Sequence, residues 1–160
     1  MGLIVGDTTI RRATASDAPA LTKVAHAAKR HWSYPERWIE LWKDALTITP
    51  EFISNNQVYA ALVNGEIAGF SALVVIEDEV WLEHLWVLPK HIGKGLGKTL
   101  FIHAAGVAAT TGAKAMEIES DPYAEGFYNR MGAKRVGEVV STIEGDKRVL
   151  PLLAFELVKV

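Results

Sequence analysis

Asn64-Gly65 stands between two stretches, 58–63 and 66–76, that both favour extended backbone. A two-residue Asn-Gly connection suits a tight turn with positive φ at both positions, and its twist matches that of paired strands, so a hairpin is expected. Glu77-Asp78-Glu79 makes the next turn, and 80–87 is expected to return as a third strand. After this meander the architecture changes. Gly93-Lys94-Gly95-Leu96-Gly97 leads into 98–109, which is rich in Ala and Leu, lacks proline, and is expected to form a helix.

The flanking chain supplies the rest of a mixed fold. Residues 9–14 read as a short strand, Ser16 and Asp17 as candidate helix caps, and Leu21, Val24, Ala25 and Ala28 as one apolar helical face. Arg30-His31-Trp32-Ser33-Tyr34-Pro35 interrupts that pattern; Trp38, Leu41, Trp42 and Ala45 resume it in a second helix expected to fade near Thr49-Pro50, with Trp38 and Trp42 in the core. Further on, 115–120 reads as a strand and 124–131 as a short helix stopped by Gly132 in a left-handed cap. A closing antiparallel pair is expected at 136–141 and 149–157, with Pro151 marking an edge or a bulge. No repeat, low-complexity stretch or linker interrupts the chain, so one mixed α/β domain over 1–160 is expected.

Bulk properties exclude several functions. At 160 residues with 49% hydrophobic and 22% charged, the chain has the material for a packed core. A net charge of -2 without any block of like charges gives nothing to hold a polyanion, so nucleic acid is not an expected partner. The absence of cysteine removes disulfides, thiolate metal sites and a cysteine nucleophile. His26, His31, His84, His91 and His103 show no paired ligand spacing, and no metal is expected. The first six residues lack the basic start and apolar stretch of a signal peptide, and Gly6 stands where a myristoylation signal needs Ser or Thr. With no apolar run near the roughly 20 residues that span a bilayer, no membrane partner is expected and a cytoplasmic protein is the default.

The glycine loop carries the chemistry. Backbone N–H groups at a helix start, aided by the helix dipole, bind phosphate oxygens, and glycines let the backbone come close. A nucleotide P-loop needs four residues between its first Gly and its Gly-Lys pair, but Gly93 and Gly97 enclose three, and Ile92 stands where the glycine belongs. A dinucleotide fingerprint fails because the third glycine falls one residue early. Phosphate binding of another kind remains, against the plain alternative of a turn with no ligand.

Trp81-Leu82-Glu83-His84-Leu85-Trp86-Val87-Leu88-Pro89, with Ile92-Gly93-Lys94-Gly95-Leu96-Gly97 after it, resembles the Tyr-Leu-Glu-x-Leu-x-Val-x-Pro and Arg-Gly-x-Gly-Ile-Gly stretches common in the GNAT superfamily of acetyltransferases. Ala124-Glu125-Gly126-Phe127-Tyr128-Asn129-Arg130-Met131-Gly132-Ala133 resembles the family's later Ala-x-x-Phe-Tyr-x-x-x-Gly-Phe element. The resemblance implies a mostly antiparallel mixed sheet, splayed between two parallel strands and flanked by about four helices. It also implies acetyl-CoA as cosubstrate. The pyrophosphate would lie on Ile92, Gly93, Lys94, Gly95, Leu96, Gly97 and Lys98, the pantetheine on the backbone of Leu85, Trp86 and Val87, with further contacts at Asp121, Ala124, Phe127 and Tyr128. Two positions depart from the pattern. Ile92 replaces the usual Arg or Gln, which removes a side-chain contact but leaves the backbone donors; Asp121 stands where many members carry Asn.

By the same resemblance Tyr128 protonates the departing CoA thiolate, while Glu83 takes the amine's proton directly or through water. The residues alone leave alternatives open. Tyr128 shares a helical stripe with Ala124, Phe127 and Met131 and suits a core tyrosine; Glu83 suits a surface carboxylate on a partly exposed sheet. His84 is a weaker choice for base or acceptor contact. The acceptor, taken as a small primary amine attacking directly in a ternary complex, is expected against His31, Trp32, Tyr34, Glu83 and His84. Trp32 and Tyr34 would stack there on a flat ring or a cation, or else simply join two helices. An acyl-CoA sensor without catalysis is the rival class, and a homodimer through the last strands or exposed tryptophans is compatible with the chain.

Overall fold

The computed structural model describes residues 8–158, so the N-terminal residues considered for a leader lie outside it. Seven strands occur: β1 (Thr8–Arg12), β2 (Gln57–Val63), β3 (Glu66–Ile76), β4 (Glu79–Val87), β5 (Ala115–Glu119), β6 (Lys134–Ile143) and β7 (Asp146–Glu156). Their order in the sheet is β1-β2-β3-β4-β5-β7-β6. Five α-helices accompany them: α1 (Ala18–Arg30), α2 (Glu36–Leu41), α3 (Pro50–Asn55), α4 (Leu96–Ala109) and α5 (Glu125–Met131). This is the expected mixed α/β fold. β5 runs parallel to β4, and their ladder takes only the early part of β4, pairing Val80 with Met116 and Trp81 with Glu117. β1–β2, β5–β7 and β6–β7 pair antiparallel.

The chain forms two compact units. One contains the residues up to Ala72 together with His84–Ile102; the other contains Leu73–Glu83 and the residues from His103 onward. In the first, α1 buries the stripe Leu21, Val24 and Ala25 against Val58 and Ala60 of β2, Phe70 and Ala72 of β3 and Ile53 of α3. A second cluster packs Leu96 and Leu100 of α4 with Ala61 and Ala68, and with Leu85 and Val87 of β4. Strand alternation explains the division: Ala60 and Ala61 point to opposite faces. Ahead of α1, Thr14 and Asp17 form a capping box. The Thr14 N–H donates to Asp17 Oδ2 at 2.8 Å and the Arg11 guanidinium pairs with the same oxygen at 2.8 Å. Those contacts, the Arg11 hydrogen bond foremost, hold the Asp17 carboxyl down at about 2.

Turn chemistry behaves as local sterics require. Asn64 and Gly65 adopt φ of 51° and 85°, and Gly132 caps α5 at 104°. A second turn of the same kind, Glu144-Gly145 at 51° and 83°, joins β6 to β7 and lengthens the closing pair beyond its expected bounds.

Two expectations need correction. The second helix ends at Leu41, and Thr49-Pro50 opens a helix instead of closing one. Thr49 Oγ1 accepts the Phe52 N–H at 3.0 Å, and Pro50 takes the first helical turn, where a missing N–H breaks no helical bond. Pro151 marks no edge, because β7 lies between β5 and β6. Its carbonyl accepts the Ser120 N–H at 2.9 Å, just past Glu119, where the β5 ladder ends. In an extended chain N–H and C=O of one residue point the same way, so the missing donor faces a place where no ladder bond is needed. The bulge sits on β6 instead, between Arg135 and Gly137. Among the described residues no helix is long and apolar enough to cross a membrane.

Candidate active site

β4 passes through a short 3-10 turn, Pro89–His91, into the glycine loop. Gly93 and Gly95 have φ of 82° and 85°, a left-handed backbone that side chains rarely adopt, and a Cβ added at Gly93 would meet nothing within 4 Å. The loop backbone is therefore open on that side. The Thr99 N–H and hydroxyl both donate to the Gly95 carbonyl at 3.0 Å, which locks the first turn of α4 onto the loop. Helix geometry leaves the first-turn N–H groups, those of Leu96, Gly97 and Lys98, without intrahelical acceptors. Leu96 is buried and anchors this end, while Lys94 and Lys98 are exposed. These groups fit a pyrophosphate. Ile92 lies exposed and adds no polar contact.

Gly69 sets the approach of β3 to β4. A Cβ there would lie 2.7 Å from the Trp86 carbonyl oxygen and 3.4 Å from Val87 Cα. The Leu88 N–H donates to the Ala68 carbonyl at 2.8 Å beside it. Leu85 and Val87 turn toward α4; His84 and Trp86 take the other face of the strand.

On that face the structure gathers an aromatic group. The Lys29 ammonium lies 4.3 Å from the centre of the Trp42 ring, 4.9 Å from Tyr34 and 6.0 Å from Trp86. Tyr34 meets Trp42 edge-on at 5.0 Å and Trp38 at 6.1 Å. The Trp86 indole N–H donates to His84 Nδ1 at 2.9 Å, and Phe52 and Phe70 stand 5.7 and 5.9 Å from the imidazole. Burial drives the His84 pKa down to about 4. Trp38 and Trp42, expected in the core, are only half-buried: Trp42 packs on the rim of the core and carries Lys29 on its ring, and Trp38 meets Trp42 edge-on at 5.9 Å. His31 is exposed and meets the half-buried Trp32 edge-on at 5.0 Å.

The remaining residues belong to the other unit. Glu83 is solvent-exposed, yet the protein around its carboxyl raises its pKa, and the Glu119 carboxylate raises it further. Tyr128 is buried with 7% of its surface accessible. Burial first, and then the Asp121 carboxylate, push its phenol well above the ordinary value. Phe127 meets the Tyr128 ring edge-on at 5.2 Å. Asp121 caps the 3-10 turn Pro122–Ala124, accepting the Tyr123 N–H at 2.9 Å, and pairs with Arg148 at 3.9 Å. Ala124 closes that turn by donating its N–H to the Asp121 carbonyl at 2.9 Å. A cleft lined by Lys114, Gly132, Lys134, Val136 and Glu156 contains none of these groups.

Lys29, Phe52, Gly69, Glu119 and Arg148 take part here without having been expected from the sequence. Lys29 alone left a local signal, since it lies four residues after Ala25 and thus on the apolar stripe of α1, an unusual place for a charge.

Comparison with known proteins agrees with this geometry. No curated protein matches the chain. Among solved structures, a GCN5-related N-acetyltransferase of Rhodopseudomonas palustris superposes with a TM-score of 0.81 at 18% identity, covering 97% of this chain and 99% of its own. The PaiA N-acetyltransferase of Thermoplasma acidophilum, in complex with coenzyme A, gives 0.76 at 20% identity over 94% and 99% of the two chains. The ribosomal-protein-S18-alanine N-acetyltransferase of Escherichia coli gives 0.71 at 20% identity, with 96% of each chain covered. The model of the acetyltransferase (GNAT) family matches residues 21–133, well over half the chain and all of the glycine loop, and the chain therefore belongs to that family.

Proposed function

We propose that this acetyltransferase moves an acetyl group from acetyl-CoA to a primary amine of a small molecule, by direct attack in a ternary complex. The observation that carries the reading is the glycine loop: two left-handed glycines open α4, with its first-turn N–H groups directed at the loop. The relative solved with coenzyme A shares this fold. Backbone donors from 92–98 hold the pyrophosphate, and the β4 backbone at Leu85, Trp86 and Val87 takes the pantetheine. Asp121, Ala124 and Phe127 serve the cofactor by shaping the turn and helix that carry Tyr128.

When bound, acetyl-CoA supplies an activated carbonyl and a thiolate leaving group. Glu83 accepts the amine's proton, and its raised pKa makes it a stronger base than an ordinary carboxylate. The amine nitrogen forms a bond to the carbonyl carbon, the carbon–sulfur bond breaks, and Tyr128 donates its O–H toward the departing sulfur. The phenol is protonated throughout the ordinary pH range, and its raised pKa makes it a weaker acid, so its O–H acts first as a hydrogen-bond donor to the sulfur and gives up its proton only as the thiolate forms. Alignment of the reactants supplies the larger share, roughly 7–11 kcal/mol in favourable cases.

A thermal-shift titration with acetyl-CoA, CoA and ATP tests the reading. Acetyl-CoA at 100 times its dissociation constant adds roughly 2.7 kcal/mol of stability, and ATP adds none. Tyr128→Phe keeps that shift while turnover falls roughly 10²- to 10⁴-fold. An equal shift with ATP, or none with either CoA species, refutes the proposal; full turnover in Tyr128→Phe removes that residue's role.

A further inference from the structure

We infer that β6 is a self-pairing edge: two copies of this chain join antiparallel along it, with a two-fold axis at Val140, into one continuous sheet. The inference stands apart from the acetyltransferase reading. β6 is the last strand of the sheet order, so one side of its backbone meets no described strand. Which residues turn to that side follows from the hairpin. Ile143 and Asp146 flank the two-residue turn as a pair, and such a flanking pair exchanges its N–H and C=O groups. Alternation then gives Ser141 and Val139 to β7 and directs Thr142, Val140 and Glu138 outward. Pro151 supplies an independent check. It stands opposite Glu138 but turns its carbonyl to the Ser120 N–H at 2.9 Å, so the Glu138 backbone bonds nothing on β7.

A bare edge invites another chain, and proteins commonly block it with charge, proline or a bulge. β6 is blocked only at its start, where Lys134 and Arg135 stand and the bulge falls between Arg135 and Gly137. From Glu138 to Thr142 it keeps regular register, with no proline and no positive charge. Val140 lies at the middle of that stretch and is 56% exposed. The occupant that fits is a second copy. With the axis at Val140 every outward residue meets an outward residue: Val140 meets its own counterpart, and Glu138 meets Thr142. Moving the axis to Glu138 would set two carboxylates face to face. The ends also complement each other, since Lys134 and Arg135 open β6 while Glu144 and Asp146 follow its close, and an antiparallel copy brings unlike ends together. Such an interface is isologous and closes as a dimer. The sequence allows a homodimer through the last strands or through exposed tryptophans; all five tryptophans are half-buried, whereas the β6 edge is open.

Analytical ultracentrifugation over a concentration series tests the pairing. The wild-type chain is expected to pass from monomer to a discrete dimer as concentration rises. Val140→Pro removes an outward donor and breaks no bond to β7, and it is expected to stay monomeric where wild type is dimeric. Val140→Lys and Val140→Asp each set like charges across the axis and are expected to stay monomeric alone. Their equimolar mixture is expected to regain the dimer, because only the mixed pair places opposite charges there. Cooperative thermal unfolding shows which variants are folded, and the charge pair decides should the proline variant fail. A wild type that is monomeric throughout, a dimer that survives Val140→Pro and Val140→Lys, a mixture that stays monomeric, or an open-ended assembly each overturns the inference. The acetyl-CoA thermal shift does not bear on it, so either reading can fall without the other.

Discussion

The indole N–H of Trp86 donates to Nδ1 of His84 across 2.9 Å, so two residues on one face of β4 fix each other's orientation. An acceptor at Nδ1 places the imidazole proton on Nε2, and burial holds the ring neutral down to about pH 4. His84 is thus a neutral wall of the aromatic face between pH 5 and 8.

The stability consequence has a definite sign. An unfolded histidine takes a proton near 6.5, whereas folded His84 refuses one until about 4. The folded state therefore binds fewer protons between those values, and stability falls as pH drops from about 6.5 to about 4. His84→Phe is expected to flatten that part of the profile in urea unfolding measured across a pH series. A profile of unchanged slope would show that the ring is protonated in the folded protein.

Glu83 and Glu119 make the second relationship with a kinetic signature. Like charge raises the Glu83 pKa beyond what desolvation does, so kcat/KM is expected to rise with pH along an acidic limb above the usual carboxylate range. Glu119→Gln removes the repulsion and moves that limb to lower pH. Glu83→Gln abolishes the limb and slows turnover roughly 10²-fold or more. A limb that survives in Glu83→Gln assigns the proton to another acceptor, such as an ordered water.

Gly69 gives a test with an internal control. Alanine at this position places a Cβ 2.7 Å from the Trp86 carbonyl oxygen, so β4 must move, at about 1–3 kcal/mol of stability. The acetyl-CoA dissociation constant is expected to rise as well, because the displaced backbone is the proposed pantetheine contact. Gly106→Ala, on an exposed position inside α4 with nothing within 4 Å, is expected to stabilise by about 0.5–1 kcal/mol and leave cofactor affinity alone. Equal effects from the two substitutions would remove any special part for Gly69.

The parts of this protein legible in its sequence are those with local causes. Asn64-Gly65 turns because both positions need positive φ, Gly132 stops α5 for the same reason, and the spaced glycines after β4 open α4 whatever surrounds them. The apolar period of Leu21, Val24 and Ala25 likewise declares the buried face of α1. Local signals mislead where two meanings compete: Thr49-Pro50 suits the end of one helical pattern and the cap of the next. The tertiary structure decided everything that depends on partners far apart in the chain. It brought Lys29 and Tyr34 to Trp86, set Glu119 beside Glu83, joined Asp121 to Arg148, and pressed the Trp86 carbonyl toward Gly69. Periodicity states which face of an element is apolar; which ring or charge from another element meets that face is settled only when the strands pair and the helices pack, and the charges and pKa shifts of the site arise from those meetings.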